Sequence, residues 1–176
     1  STRMLKSESG GLVVCEKAST TDLLEQETAA VIPDLAFCLR DVEDDKPLLF
    51  LVEVDMATEP IRSRRLGRAN IRSKLIRYCE CFRNNVYKRY EEVFEEAFNG
   101  FRVLVLSSSL ERLKKLSTEV KELRHRDFIW LAQESDLFEK GAGGRIWLRG
   151  GNDFLGPQSI LGKHERPTPL CQGERP

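Results

Sequence analysis

The stretch Leu48-Leu49-Phe50-Leu51-Val52 is apolar without interruption and runs directly into Glu53-Val54-Asp55. A strand with one wet face alternates apolar and polar residues, and this one does not, so it predicts a strand buried on both faces. Val31 to Leu39 reads as the strand before it, with Pro33 near its start, where a missing N–H is tolerated. The acidic turn Asp41 to Pro47 then joins the two as a hairpin.

Beyond Asp55 the chain alternates between helical and strand patterns. Thr58-Glu59-Pro60 supplies a capping hydroxyl, a first-turn acid and an early proline, predicting a helix that runs to about Phe82 with a break at Gly67. Ile71, Leu75, Tyr78 and Phe82 fall on its apolar stripe. A second helix is expected over Val86 to Phe98, ended by Asn99-Gly100. Phe101 to Leu106 reads as a buried strand, Leu110 to Leu123 as a helix, and Phe128 to Leu131 as another strand. This strand–helix–strand order predicts parallel pairing and an α/β layer structure. Leu12 to Cys15 is a further short strand, and Thr20 to Thr28 is weakly helical.

A chain of 176 residues suits one domain, placed at 1–140. From Gly141 onward lie eight of the twelve glycines and four of the seven prolines. Residues 141–176 are therefore read as an irregular extension in which Ile146-Trp147-Leu148 packs. Gly141-Ala142-Gly143-Gly144 follows no convincing strand and opens no helix, which argues against a nucleotide-binding loop. No run of about 18 apolar residues exists, so no membrane span is expected. Five cysteines at irregular spacing argue against a disulfide framework and for a reducing, cytoplasmic setting. Cys79 and Cys81 point to opposite sides of a helix, and His125 and His164 stand alone, so zinc is not expected.

A net charge of zero conceals a strong asymmetry. Residues 1–60 carry a formal charge of −8, and residues 61–90 carry +9. Between Arg62 and Arg77 stand seven basic residues and no acid, so the i,i+4 salt bridges of a solvated helix are missing. Arg62, Arg64, Arg65, Arg68, Arg72 and Arg77 are accordingly expected to face an anionic partner, with DNA phosphates the natural candidate. A merely solvated helix face is the competing reading.

The chemistry candidates sit where the buried strands end. Glu53 and Asp55 share one strand face because side chains alternate with a period of two. Hairpin pairing brings Asp34 toward the same face. Converging carboxylates repel at low dielectric unless a cation lies between them, and Mg²⁺ or Mn²⁺ prefers such hard oxygen ligands.

In order, Val31-Ile32-Pro33-Asp34, then Phe50 to Glu59 with its Glu-x-Asp-x-x-Thr-Glu stretch, then Lys74 and Tyr78, resemble the plasmid replication-relaxation family of bacterial proteins. That family is similar to the PD-(D/E)XK phosphodiesterases. The resemblance covers roughly residues 29–135. It implies a restriction-endonuclease-like αβββαβ core, a mixed sheet flanked by helices, and Mg²⁺-dependent cleavage of DNA in plasmid replication or mobile-element processing. It also implies Asp34, Glu53 and Asp55 as metal ligands and catalytic residues. Family members carry an N-terminal winged-helix region, and the segment before Asp34 is too short for one, so a fragment or a shortened relative is expected, with an upstream DNA-binding domain or a partner protein.

The chain departs from the pattern at the lysine. The superfamily places it two residues after the second acid, where this chain has Asp55. Lys74 on the following helix is the substitute expected to act in catalysis. On a helical wheel it lies about 60° from Ile71 and about 40° from Tyr78, at the border of the buried stripe. From there its stem can be buried while its ammonium reaches the sheet edge. The missing lysine equally suits an inactive module that binds DNA or joins a complex while keeping the fold.

Overall fold

The computed structural model describes residues 2–6, 13–17, 31–41, 45–62, 70–152 and 154–162. One sheet holds seven strands in chain order: β1 (Thr2–Lys6), β2 (Val13–Lys17), β3 (Leu35–Asp41), β4 (Lys46–Asp55), β5 (Phe101–Ser107), β6 (Ile129–Gln133) and β7 (Leu148–Arg149). β1 to β4 form an antiparallel meander, β4, β5 and β6 run parallel, and β7 returns antiparallel. The result is an α/β fold with a mixed sheet flanked by helices. Among the described residues, no helix is long and apolar enough to cross a membrane.

The apolar run lies in β4, between β3 and β5, and Leu49 through Glu53 are all buried. Leu49 and Leu51 enter one core cluster, and Phe50 and Val52 enter the cluster on the opposite face. Parallel neighbours cannot be joined by a tight turn, so the chain crosses a sheet face between them. α1 (Ile71–Arg83) and α2 (Arg89–Phe94) make the first crossing, and α3 (Leu110–Lys121) makes the second. All three pack over the face that carries Leu49, Leu51, Val103 and Val105.

Several expected boundaries move. β3 begins at Leu35, so Val31 to Asp34 lead into it rather than belong to it. α1 begins at Ile71 and not at Pro60, because Asn70 caps it by accepting the Ser73 N–H at 2.9 Å. The Pro60 and Ile61 carbonyls accept the Ile71 and Arg72 N–H groups, at 3.3 and 3.1 Å. Pro60 and Ile61 therefore satisfy amides that a helix start leaves open. Leu75 and Tyr78 are fully buried, as the stripe predicts, whereas Phe82 is 37% exposed. Even so, Phe82 stacks on Phe128, with ring centroids 4.8 Å apart.

The second helix is shorter too. A 3₁₀ turn over Val86–Lys88 precedes α2, and Glu95, at φ 55°, ends it in the left-handed region. Glu91 Oε1 accepts the Phe98 N–H at 2.9 Å, which turns the chain toward β5. α4 (Glu134–Lys140) follows β6 without a loop, an element the sequence pattern does not announce. Thr20 to Thr28 lies outside the described residues.

Ile146, Trp147 and Ile160 close the second sheet face, so the described part of the extension shares the domain's core. Trp147 and Gln158 exchange backbone hydrogen bonds of 3.1 and 2.8 Å. Gly151 is the glycine this packing requires. Its φ is +67°, and a Cβ there would lie 2.6 Å from the Ser117 carbonyl oxygen.

Candidate active site

Glu53 and Asp55 occupy the C-terminal end of β4 and face the α1 side of the sheet, while Val54 between them is 40% exposed on the other side. Asp34 stands one residue before β3. Its N–H donates to the Val52 carbonyl at 2.9 Å, and its Oδ2 accepts the Val54 N–H at 2.7 Å. The hairpin thus clamps Asp34 against β4 at both its backbone and its carboxylate. Asp34, Glu53 and Asp55 line one cleft of about 150 Å³, walled by Lys74 and Tyr78 of α1 and by Thr58 of the strap that leaves β4.

Glu53 is 6% exposed, and α1 supplies both of its partners. Lys74 Nζ donates to Oε2 and the Tyr78 hydroxyl donates to Oε1. Burial pushes the Glu53 carboxyl up to about 7; the bonds from Lys74 and Tyr78 pull it back, and the charge of Asp34 pushes it further up. Tyr78 is raised as well, by burial and by the charge of Glu53, so its phenol stays protonated as a donor. Lys74 sits where the helical wheel places it, with its side chain one-third exposed and its ammonium at the strand end.

Asp55 is held differently. Arg112 of α3 grips it with Nε on Oδ2 at 2.6 Å and Nη2 on Oδ1 at 3.0 Å. The same Nη2 also donates to the Glu59 carbonyl at 2.6 Å, and the Ala57 N–H reaches Asp55 Oδ1 at 3.1 Å. This bidentate pair is almost wholly buried, and it ties the strap to the end of the sheet. Among the described residues, no group of three or more His, Cys, Asp or Glu side chains is disposed as a metal cage. The three expected carboxylates share the cleft, but each is held by a different partner.

The arginines divide. Arg62 donates from Nε to Glu119, at 2.6 and 2.8 Å, and also pairs with Glu122. Arg72 Nη1 bonds the same two acids at 2.7 and 3.1 Å. Both therefore turn onto the acids at the end of α3. Their acids lie 47 to 60 residues away, beyond the reach of i,i+4 counting. Arg77 is exposed on α1. Arg64, Arg65 and Arg68 lie outside the described residues.

No family model, curated protein or solved structure matches this chain significantly.

Arg112 is absent from the sequence-based candidates, although a signal for it exists. Parallel pairing sets Asp55 opposite Ser107, and Ser109 caps α3 by accepting the Arg112 N–H at 3.2 Å. Once β4 and β5 are taken as parallel, the first turn of α3 has to lie beside Asp55. The helical stripe marks Tyr78 as core alone; its hydroxyl is the polar end of an otherwise buried ring.

Proposed function

We propose that this chain is a PD-(D/E)XK-type, divalent-cation-dependent DNA phosphodiesterase domain, endonuclease-like and serving plasmid replication or mobile-element processing. The observation that carries this reading is the contact between Lys74 and Glu53. A lysine missing from its usual place on the strand is replaced by one from the next helix, and its ammonium arrives at the strand's first acid. The strand order supports the reading, since a β2–β4 meander, a helical crossing and a parallel β5 follow the βββαβ part of the αβββαβ sequence expected of such a core.

The donor set suits a hard cation. Asp34 and Glu53 present carboxylate oxygens in one cleft, and burial pushes the Glu53 carboxyl up even with the Lys74 ammonium upon it. Mg²⁺ or Mn²⁺ would be held by Asp34 and Glu53, with Asp55 alongside, and would supply Lewis acidity and charge neutralisation at a phosphoryl oxygen. Tyr78 and Lys74 orient the Glu53 carboxylate, each through one oxygen. Lys74, one-third exposed, can donate a second hydrogen bond to an attacking water or to a non-bridging phosphate oxygen. Arg112 fixes Asp55 and holds the strap at the cleft wall. Exposed Arg77 belongs to the surface proposed to carry the DNA backbone, where contacts position the duplex without reading its sequence.

The test is nicking of supercoiled plasmid with Mg²⁺ or Mn²⁺ by the wild type, Asp34→Asn and Glu53→Gln. Metal-dependent nicking that both variants abolish is the expected result. Absence of cleavage of any DNA form, or undiminished cleavage by the variants, defeats the reading.

One observation favours a second reading. Asp55 is already satisfied by a guanidinium and a backbone N–H, as it would be in a relative that keeps the fold as a non-catalytic DNA-binding or complex-forming module. Calorimetric titration with Mn²⁺ separates the two. Binding that Asp34→Asn removes supports the enzyme, whereas DNA binding without any metal binding supports the module.

A further inference from the structure

The sheet face away from the acidic cleft carries a second polar arrangement. Five neighbouring strands place Phe37, Phe50, Arg102, Trp130 and Arg149 on it: Phe37 pairs with Phe50, Phe50 with Arg102 and Trp130 with Arg149, while Arg102 reaches Trp130 diagonally, because Trp130 pairs with Leu104. Phe37 and Phe50 stack with centroids 4.9 Å apart and planes within 7° of parallel. The Arg102 guanidinium carbon lies 5.8 Å from the Phe50 centroid and 4.6 Å from that of Trp130. Trp130 is fixed by its indole N–H, which donates to the Asp127 carbonyl at 2.9 Å.

Aromatic rings stabilise a guanidinium through its face and leave its N–H edges unused. Among the described residues, no carboxylate pairs with Arg102. The charge that acts on it is another cation, Arg149, which adds to burial in lowering its proton affinity. Arg149 sits across from Trp130 on β7, and among the described residues its Nε approaches only the exposed Asp127, at 3.8 Å. A surface pair that long and that exposed contributes little. With the Arg102 guanidinium on the Trp130 ring and Arg149 across from Trp130 on β7, positive charge collects on this face, opposed among the described residues by the exposed Asp127. A doubly charged oxyanion matches it in charge and in forked geometry.

We propose that Arg102, seated on the Trp130 ring, and Arg149, across from Trp130 on β7, form a binding site for a phosphate group. The site is distinct from the cleft and does not depend on the nuclease reading. Arg102 lies near the start of β5, whereas Asp55 pairs with Ser107 at its other end. A phosphate held here is not one bound among the carboxylates. Its source is either a free phosphate compound or the backbone of a nucleic-acid strand.

Intrinsic tryptophan fluorescence, with Trp130 beneath Arg102, reads occupancy. The wild-type protein, Arg102→Met and Arg149→Ala are titrated in EDTA with sodium phosphate, with sodium chloride at equal ionic strength, and with a short oligothymidylate. The expected result is saturable binding of phosphate or of the oligonucleotide that weakens about tenfold in each variant, the loss of one charge-assisted contact. Saturation by inorganic phosphate assigns the site to free phosphate compounds. Binding of the oligonucleotide alone, weakening with salt, assigns it to a strand backbone. Phosphate behaving like chloride with no oligonucleotide binding, or binding that neither variant alters, overturns the proposal. Arg149→Ala alters an exposed side chain, so loss of folding in Arg102→Met leaves the test intact.

Discussion

Replacing Glu53 by glutamine should change how the protein's stability depends on pH. In the fold the Glu53 carboxyl titrates at about 7, against an ordinary value of 4.5. Between those two values the native protein keeps a proton that the unfolded chain has lost. Stability therefore falls as pH rises through this window, and by linkage the total contribution is about 3 kcal/mol. Burial sets it first, by opposing the anion; Lys74 and Tyr78 from α1 favour the anion without offsetting that, and Asp34 beside β3 opposes it further. Glutamine keeps an acceptor for the Tyr78 hydroxyl and removes the charge. Urea unfolding of wild type and Glu53→Gln, followed in steps from pH 4.5 to pH 8, isolates this one group because every other titrating residue is common to both. The wild type should lose about 3 kcal/mol relative to the variant across the range. Curves that stay parallel would show that Glu53 is no buried acid, and the electrostatic account of the cleft would fall with it.

Arg112→Ala leaves Asp55 buried without its partner and should cost about 3–5 kcal/mol in denaturant unfolding; a loss below about 1 kcal/mol contradicts the buried clasp. Tyr78→Phe removes one of two donors to Glu53, so carboxyl-carbon NMR should show the Glu53 midpoint moving upward, with a stability loss of about 1–3 kcal/mol. An unmoved midpoint would mean that the hydroxyl does not act on Glu53. Gly151→Ala places a methyl against the Ser117 carbonyl at positive φ and should destabilise by more than about 1 kcal/mol, read as a fall in thermal midpoint.

The central strand and its acids are legible in the sequence because their signal is local. An apolar run ending in Glu-x-Asp fixes both the burial of β4 and the shared face of Glu53 and Asp55. Lys74 is legible for a similar reason, since helical periodicity alone places it at the edge of the buried stripe. The start of α1 is misplaced because Thr58, Glu59 and Pro60 have the composition of a helix start, while the amides at the real start are satisfied by Asn70 and by the carbonyls of Pro60 and Ile61. The end of α2 is misplaced because Glu95 adopts a left-handed conformation that its residue type does not announce. The fate of Arg62 and Arg72 is hidden for a different reason. Glu119 of α3 and Glu122 just past its end pair with them, and charge counted along the chain does not see acids brought in by a crossover.

The clasp on Asp55 also has a bearing on the order in which the protein folds. Lys74 reaches Glu53 across 21 residues, but Arg112 reaches Asp55 only across 57. Closing the longer loop has to wait until β5 has docked on β4, and its entropy is lost before the clasp returns anything. A nascent chain that ends before α3 already contains all three acids and Lys74, yet Asp55 lacks its guanidinium and the Glu59 carbonyl lacks its donor. The cleft is thus completed late, and while the chain is still emerging its carboxylates belong to an unfinished sheet edge.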